Sequence, residues 1–153
     1  MDRLIRVLHI LAVVLLLGNL LMAPFWRKRL AAAGGAQARA VANRSVRVAD
    51  LLFTLPGWVV VLATGIVQIV TRGWPRPHGW LDLSLSLFLV WLVLWHVLVL
   101  RARKAMITQA EAAAAGGPAL AELAQHEQRW QRWSYVSAAL VGLMLILMVL
   151  RPF

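Results

Sequence analysis

The sequence predicts an all-α membrane protein, four transmembrane helices in an up-down bundle, with interfacial helix extensions in both cytoplasmic loops. Three observations predict it. Residues 4–26, 51–70, 81–100 and 134–150 form four apolar runs, each near the 20 or so residues that a helix needs to cross a hydrocarbon core of roughly 30 Å. Hydrophobic residues make up 61% of the 153-residue chain and mean hydropathy is +0.74, above the roughly 45–50% apolar usage of soluble domains. Basic residues, finally, crowd into alternate connecting segments. Backbone amides in lipid find no water, so each run must close its own hydrogen bonds as a helix. The runs consume about half the chain, and a single integral membrane domain over 1–153 is expected.

The first run follows Arg3 and Arg6 and is bounded by Arg27, Lys28 and Arg29. It is too long for a cleaved leader and has no small-x-small pattern before Pro24, so it reads as a retained first span. The helix is expected to continue through Ala33 until Gly34-Gly35 breaks it. Residues 36–50 are rich in Ala and Arg and form an interfacial helix leading into the second span. Asp50 stands at that entry. Pairing with a neighbouring arginine is its plainest role, and a helix boundary there would set its carboxylate against the positive end of the dipole.

At 100° per residue, Thr54, Gly57, Val61, Thr64, Gln68 and Thr71 share one stripe of the second span. Small and polar residues on one face mark helix packing in lipid, where close approach and interhelical hydrogen bonds replace the missing hydrophobic drive. Residues 71–81 are dense in turn formers and make the outer hairpin. Trp74 and Trp80 are expected at one headgroup level, and Trp26, Trp95, Trp130 and Trp133 at the other. After the third span, Gly116-Gly117-Pro118 interrupts the second cytoplasmic loop. Proline suits the first turn of the helix that then passes through His126 and Trp133 into the fourth span.

Net charge is +10, yet its placement speaks for lipid headgroups and topology rather than nucleic acid. Eleven of the 16 Lys and Arg lie in segments 27–50 and 101–133; Arg3, Arg6, Arg72, Arg76 and Arg151 lie on the other side. The positive-inside rule puts both longer loops in the cytoplasm of a bacterial inner membrane and both termini outside. The chain has no cysteine, which excludes disulfides, thiolate metal sites and covalent c-type haem. No phosphate-binding glycine loop, paired carboxylates or nucleophilic triad is legible.

His9, Gly18-Asn19 and Pro24-Phe25-Trp26 in the first span, Asp50 with Leu55-Pro56-Gly57 and Thr64-Gly65 in the second, Trp80-Leu81, Trp130 with Trp133, and Met148 through Pro152 together resemble the bacterial membrane family catalogued as domain of unknown function 2269. That family is distantly similar to HemJ-type protoporphyrinogen oxidases and copper-resistance CopD proteins. The first of these resemblances implies a haem ligand at an early histidine, matched by His9, and at a lysine opening the third helix. Here that helix opens Leu81-Asp82-Leu83-Ser84, without lysine.

Ionisable residues at membrane depth mark functional sites by default, and His9 and His96 are the two clear cases. They differ in depth by roughly 14 Å at 1.5 Å per residue, whereas axial ligands of one haem stand about 4 Å apart, twice a roughly 2 Å bond. They are not partners. Met144, Met148 and Gln68 are expected at the depth of His9. His9 with Met144 has the ligand types of haem b. His9 with these thioethers and His78 of the hairpin has those of copper. A histidine bonded to a nearby Thr or Gln is the plainer account. The sequence is therefore read as a haem b or metal binding membrane redox protein through His9. The alternative is a non-catalytic accessory or assembly subunit of a larger membrane complex. The lipid bilayer is the certain partner, a homo-oligomer or membrane complex a further one, and nucleic acid none.

Overall fold

A computed structural model describes residues 2–72, 79–116 and 120–150. Among them are six α-helices and two π-helical turns: α1 (Asp2–Ala31), α2 (Gly35–Ala49), a π-turn (Asp50–Thr54), α3 (Leu55–Arg72), α4 (Gly79–Leu94), a second π-turn (Trp95–Val99), α5 (Leu100–Ala114) and α6 (Leu120–Leu150). Four continuous helical segments are long and apolar enough to cross a membrane. Their outward faces carry large exposed aliphatics such as Leu4, Val14, Val70, Val93 and Val149, the inverse of a soluble surface and the expected boundary with lipid.

Gly34 and Gly35 adopt φ of 110° and 71°, a left-handed turn that glycine enters without a Cβ clash, and α1 stops before them as expected. No helix boundary falls at Asp50. The chain runs from α2 into α3 through the π-turn, in which the Leu55 N–H bonds to the Asp50 carbonyl five residues back. Pro56 supplies a reason: it offers no N–H, and its ring would strike the carbonyl four residues earlier in a regular helix. A widened turn relieves both problems.

The second π-turn has a different cause. Trp80, Ser84, Phe88, Trp91, Trp95, Val99, Ala102, Met106 and Ala110 are all buried along one line of α4 and α5. They spread thirty residues over eight turns, where a regular helix uses about 28.8. The π-turn absorbs the extra residue and keeps the line facing inward.

The helical extensions predicted in both loops are present, and they continue the bundle. α1 packs on α2, α3 and α6, α4 on α6, α5 on α6, and α2 on α5. One end of the bundle, the extension end, is thus a closed ring of α1, α2, α5 and α6. At the other, the terminal end, α1 begins, α6 finishes and α3 passes toward α4.

α1 and α3 approach most closely at Gly57, where a Cβ would lie 3.3 Å from Leu16 Cβ and 3.7 Å from the Ala12 carbonyl. Gly57→Ala is expected to cost less than a larger residue, but it requires α1 itself to give by a few tenths of an ångström, since Leu16 Cβ is fixed to that backbone. Gly57→Leu would force the helices apart at about 1–3 kcal/mol, read as a lower midpoint in detergent unfolding titrations.

The tryptophans divide differently from the predicted belts. Trp26 is exposed, but Trp80, Trp95 and Trp130 are buried because they stand on packing faces. Trp91 is fully buried and its Nε1 donates to Ser137 Oγ at 2.5 Å, tying α4 to α6. Trp74 lies outside the described residues.

Candidate functional site in the membrane

Two places in the molecule hold polar chemistry at depth. The first is a cavity of about 300 Å³ in the terminal half of the bundle, lined from α1, α3, α4 and α6. His9, Gln68, Met144 and Met148, singled out in the sequence for their common depth, all line it. The fourth wall, Trp80, Ser84 and Phe88 of α4, was not foreseen. Its signal was Ser84 within an otherwise apolar run. The volume lies at the lower limit of small-molecule sites, roughly 300–1,000 Å³, and like them this one is mainly apolar with a few polar groups.

His9 is held by the stripe residue Thr64, whose Oγ1 stands 2.8 Å from His9 Nδ1. The Thr64 hydroxyl has one proton and lies 2.5 Å from the Val60 carbonyl and 3.3 Å from that of Val61. Carbonyls only accept, so the hydroxyl proton goes to the backbone and Nδ1 of the neutral imidazole must donate to Thr64. The lone pair then resides on Nε2. This is the tautomer a metal-ligating imidazole needs, with its other nitrogen bonded to a supporting group. Gly65 faces the ring, and a Cβ there would meet His9 Cε1 at 3.5 Å, ordinary van der Waals contact.

Gln68 departs from expectation. Its Nε2 donates to the Thr64 carbonyl of its own helix at 3.3 Å, not to another helix. His96 is remote from the cavity: Nδ1 bonds to the Leu92 carbonyl at 2.9 Å, and the ring meets Trp58 and Trp95 edge-on at 6.0 and 5.1 Å. His78 lies outside the described residues. Among those described, no cluster of three or more His, Cys, Asp or Glu could hold a metal ion.

The second place is a buried polar seam between the cavity and the extension end. Asp50 Oδ2 pairs with Arg103 Nη1 at 2.6 Å; Oδ1 accepts from Thr54 at 2.9 Å and from Asn19 at 3.3 Å. Asn19 Nδ2 also donates to Thr54 Oγ1 at 2.7 Å. The expected arginine partner of Asp50 exists, but it comes from α5, 53 residues along the chain. Farther along, Glu127 of α6 faces Arg39 Nη1 at 2.8 Å, Arg27 Nη1 at 3.2 Å and Asn43 Nδ2 at 3.4 Å. Arg27 also covers the Trp130 ring at 5.7 Å. Sequence reasoning passed over Glu127; its signal was an acid five residues after Glu122 and two before Arg129, at the entry to the fourth span. The Asp50 cluster is satisfied by protein groups, whereas in the Glu127 cluster Arg27 Nε and Nη1 and Asn43 Oδ1 are buried without a hydrogen-bond partner; together the two join four helical segments, which marks them as fastenings.

A polytopic helical membrane protein with an intramembrane cavity around one histidine is the class that fold and site define. The chain belongs to the DUF2269 family of predicted integral membrane proteins, whose profile matches residues 3–152. Among curated proteins and among solved structures, nothing matches it significantly.

Proposed function

We propose that this protein binds haem b within the membrane, with His9 Nε2 as the iron ligand and Met144 as the second. The observation that carries the reading is the 2.8 Å contact of His9 Nδ1 with Thr64 Oγ1: with the hydroxyl proton directed to the Val60 carbonyl, Nδ1–H donates and the lone pair falls on Nε2 of a ring that lines the same cavity as a thioether. Imidazole and thioether are established haem ligands, and Arg6 on the same lining suits the carboxylates of a porphyrin. The donor set present therefore fits the group, and the space of about 300 Å³ must widen by rearrangement of its aliphatic lining to admit the macrocycle. When bound, haem b supplies a one-electron iron couple. The chain's own part is to orient the imidazole through Thr64, keep water from the ligand positions with apolar walls and balance negative charge at Arg6. Gln68, at the same lining, is a hydrogen-bonding group for the bound molecule.

Detergent-extracted protein reconstituted with haem b is expected to show a Soret band that His9→Ala abolishes. Met144→Leu should shift it and Met148→Leu leave it unchanged. Colourless protein that refuses haem and copurifies with fixed partners would overturn the reading in favour of an accessory subunit. Copper(I) is the second reading, favoured because Met148 joins Met144 and His9 on one cavity and thioethers suit that ion. Metal analysis of the same preparation separates the two.

The charge distribution supports an inner-membrane orientation with both termini periplasmic. The cysteine-free chain makes this simple to check. A cysteine introduced at Asp2 is expected to react with an impermeant maleimide from outside, and one at Ala33 only after permeabilisation; the reverse pattern would invert the topology.

A further inference from the structure

We infer that the cavity around His9 is filled sideways from the bilayer, through the gap between α3 and α4, by a membrane-dissolved amphiphile with an apolar body and an anionic end. The inference rests on the cavity being a binding site, and it names the class of molecule that reaches it.

Helix pairing is the first support. In the terminal half, α3 packs on α1 and α4 packs on α6, while α3 and α4 form no packed pair with each other; their continuations α2 and α5 do pack. The bundle is therefore a closed ring at one end and open on its α3–α4 side at the other. The cavity lies behind that side. Toward the extension end, outside the cavity lining, Trp58 of α3 meets His96 of the second π-turn edge-on, ring centroids 6.0 Å apart.

Exposure of the lining is the second. Ile66 of α3 lines the cavity beside the gap and is 50% exposed, and Leu85 faces it from α4 half-buried; Ile10 and Val14 of α1 and Leu145 and Val149 of α6 line the cavity and are exposed on its other side. Residues that both line a cavity and face outward at membrane depth mark an opening toward acyl chains. The walls between them are aliphatic, and Ser84 spends its hydroxyl on the Trp80 carbonyl of its own helix. A hydrophilic solute would lose its hydration there without compensation, whereas an apolar body already in the bilayer loses none.

Shape and charge narrow the class. The α1 lining runs from Arg6 to Leu16, about 15 Å along the helix axis. A cavity of about 300 Å³ drawn out over that depth is long and narrow, the shape of an extended apolar body rather than a compact solute. Arg6 stands at the terminal rim and there selects an anionic end.

Two measurements on the full-length protein in phosphatidylethanolamine and phosphatidylglycerol vesicles test this. In the first, phosphatidylglycerol with a mid-chain diazirine is photolysed and adducts are mapped by mass spectrometry. Adducts are expected on Leu62, Ile66 and Leu85 inside the gap as well as on the outward Val59, Val90 and Val93. Arg6→Gln should lower the gap adducts about five-fold, the factor for one lipid-facing charge of about 1 kcal/mol, without changing the outward ones. In the second, cysteines at Ile66 and Leu85 are bridged by a short bis-maleimide and haem is supplied from donor vesicles. Bridging should slow uptake about ten-fold, as closing a gate does, while the same cysteines capped singly should not. Outward adducts without gap adducts, or undiminished uptake by bridged protein, would overturn the inference. Photolabelling needs no haem, so gap adducts on protein that never shows a Soret band would uphold the lateral opening while ending the haem reading. A Soret band with an unlabelled gap would do the opposite.

Discussion

Glu127→Ala is expected to be among the most damaging single substitutions in the chain, lowering stability by about 3–5 kcal/mol, the usual cost of removing one partner from a buried ion pair. Glu127 is 6% exposed and is the carboxylate shared by Arg27, itself 5% exposed, and Arg39. Without it two guanidiniums face each other with their counter-charge gone. Asn43, fully buried, would lose its acceptor as well. Glu127→Gln keeps an acceptor for Asn43 and is expected to lose less. The comparison is Glu111, whose pair with Arg44 has side chains 47% and 68% exposed; exposed pairs contribute at most about 1 kcal/mol, so Glu111→Ala should barely register. Unfolding in a titration from mild detergent into dodecyl sulfate, followed by tryptophan fluorescence and circular dichroism, measures all three. A Glu127→Ala protein as robust as Glu111→Ala would show that the cluster fastens nothing.

Asp50 and Arg103 give the second large effect, and here the informative result is a cycle. Either Asp50→Ala or Arg103→Ala strands a charge that is nearly buried, Arg103 15% and Asp50 7% exposed at the side chain, and each should cost about 3–5 kcal/mol. The double substitution Asp50→Leu with Arg103→Met replaces the pair by apolar groups of similar size and should recover most of the loss, because neither charge then has to be desolvated. Asn19→Leu removes one longer bond to Asp50 and one to Thr54, and interhelical polar contacts in membranes average about 0.6 kcal/mol with a maximum near 1.7, so its effect should be smaller. The same unfolding titration reads the cycle. Strict additivity of the two alanine variants would mean that the 2.6 Å contact contributes no coupling.

The parts of the fold legible in the sequence are those governed by the solvent. Residues 4–26, 51–70, 81–100 and 134–150 had to be helices because lipid offers a backbone no other hydrogen bonds. The stripe from Thr54 through Gly57, Val61, Thr64, Gln68 and Thr71 had to face other helices for the same reason, and most of it does: Thr54 and Val61 are buried and Thr64 holds His9, while Thr71 at its end is exposed and donates to the Val67 carbonyl of its own helix. Depth arithmetic at 1.5 Å per residue brought His9, Gln68, Met144 and Met148 to one level, and the cavity gathers all four. The same arithmetic separated His96.

Other features were not legible because they depend on which faces of which helices meet. The Trp95 and Trp130 side chains have the composition of interfacial anchors but are buried, since residue type does not reveal azimuth on a helix. The partners of Glu127 and Asp50 lie far along the chain, and no local pattern announces them. The break in pairing between α3 and α4 is likewise a property of four helices together.

Crossing number, helix content and the depth of each polar group were thus determined by the chain alone, because hydrocarbon penalises every unpaired backbone amide wherever it occurs. Which arginine neutralises which carboxylate, where the helices widen into π-turns, and that a cavity lined from four helices lies beside His9 were decided only in the tertiary structure. Those outcomes follow from rotations and distances between helices, quantities that side-chain packing sets collectively and that no single segment encodes.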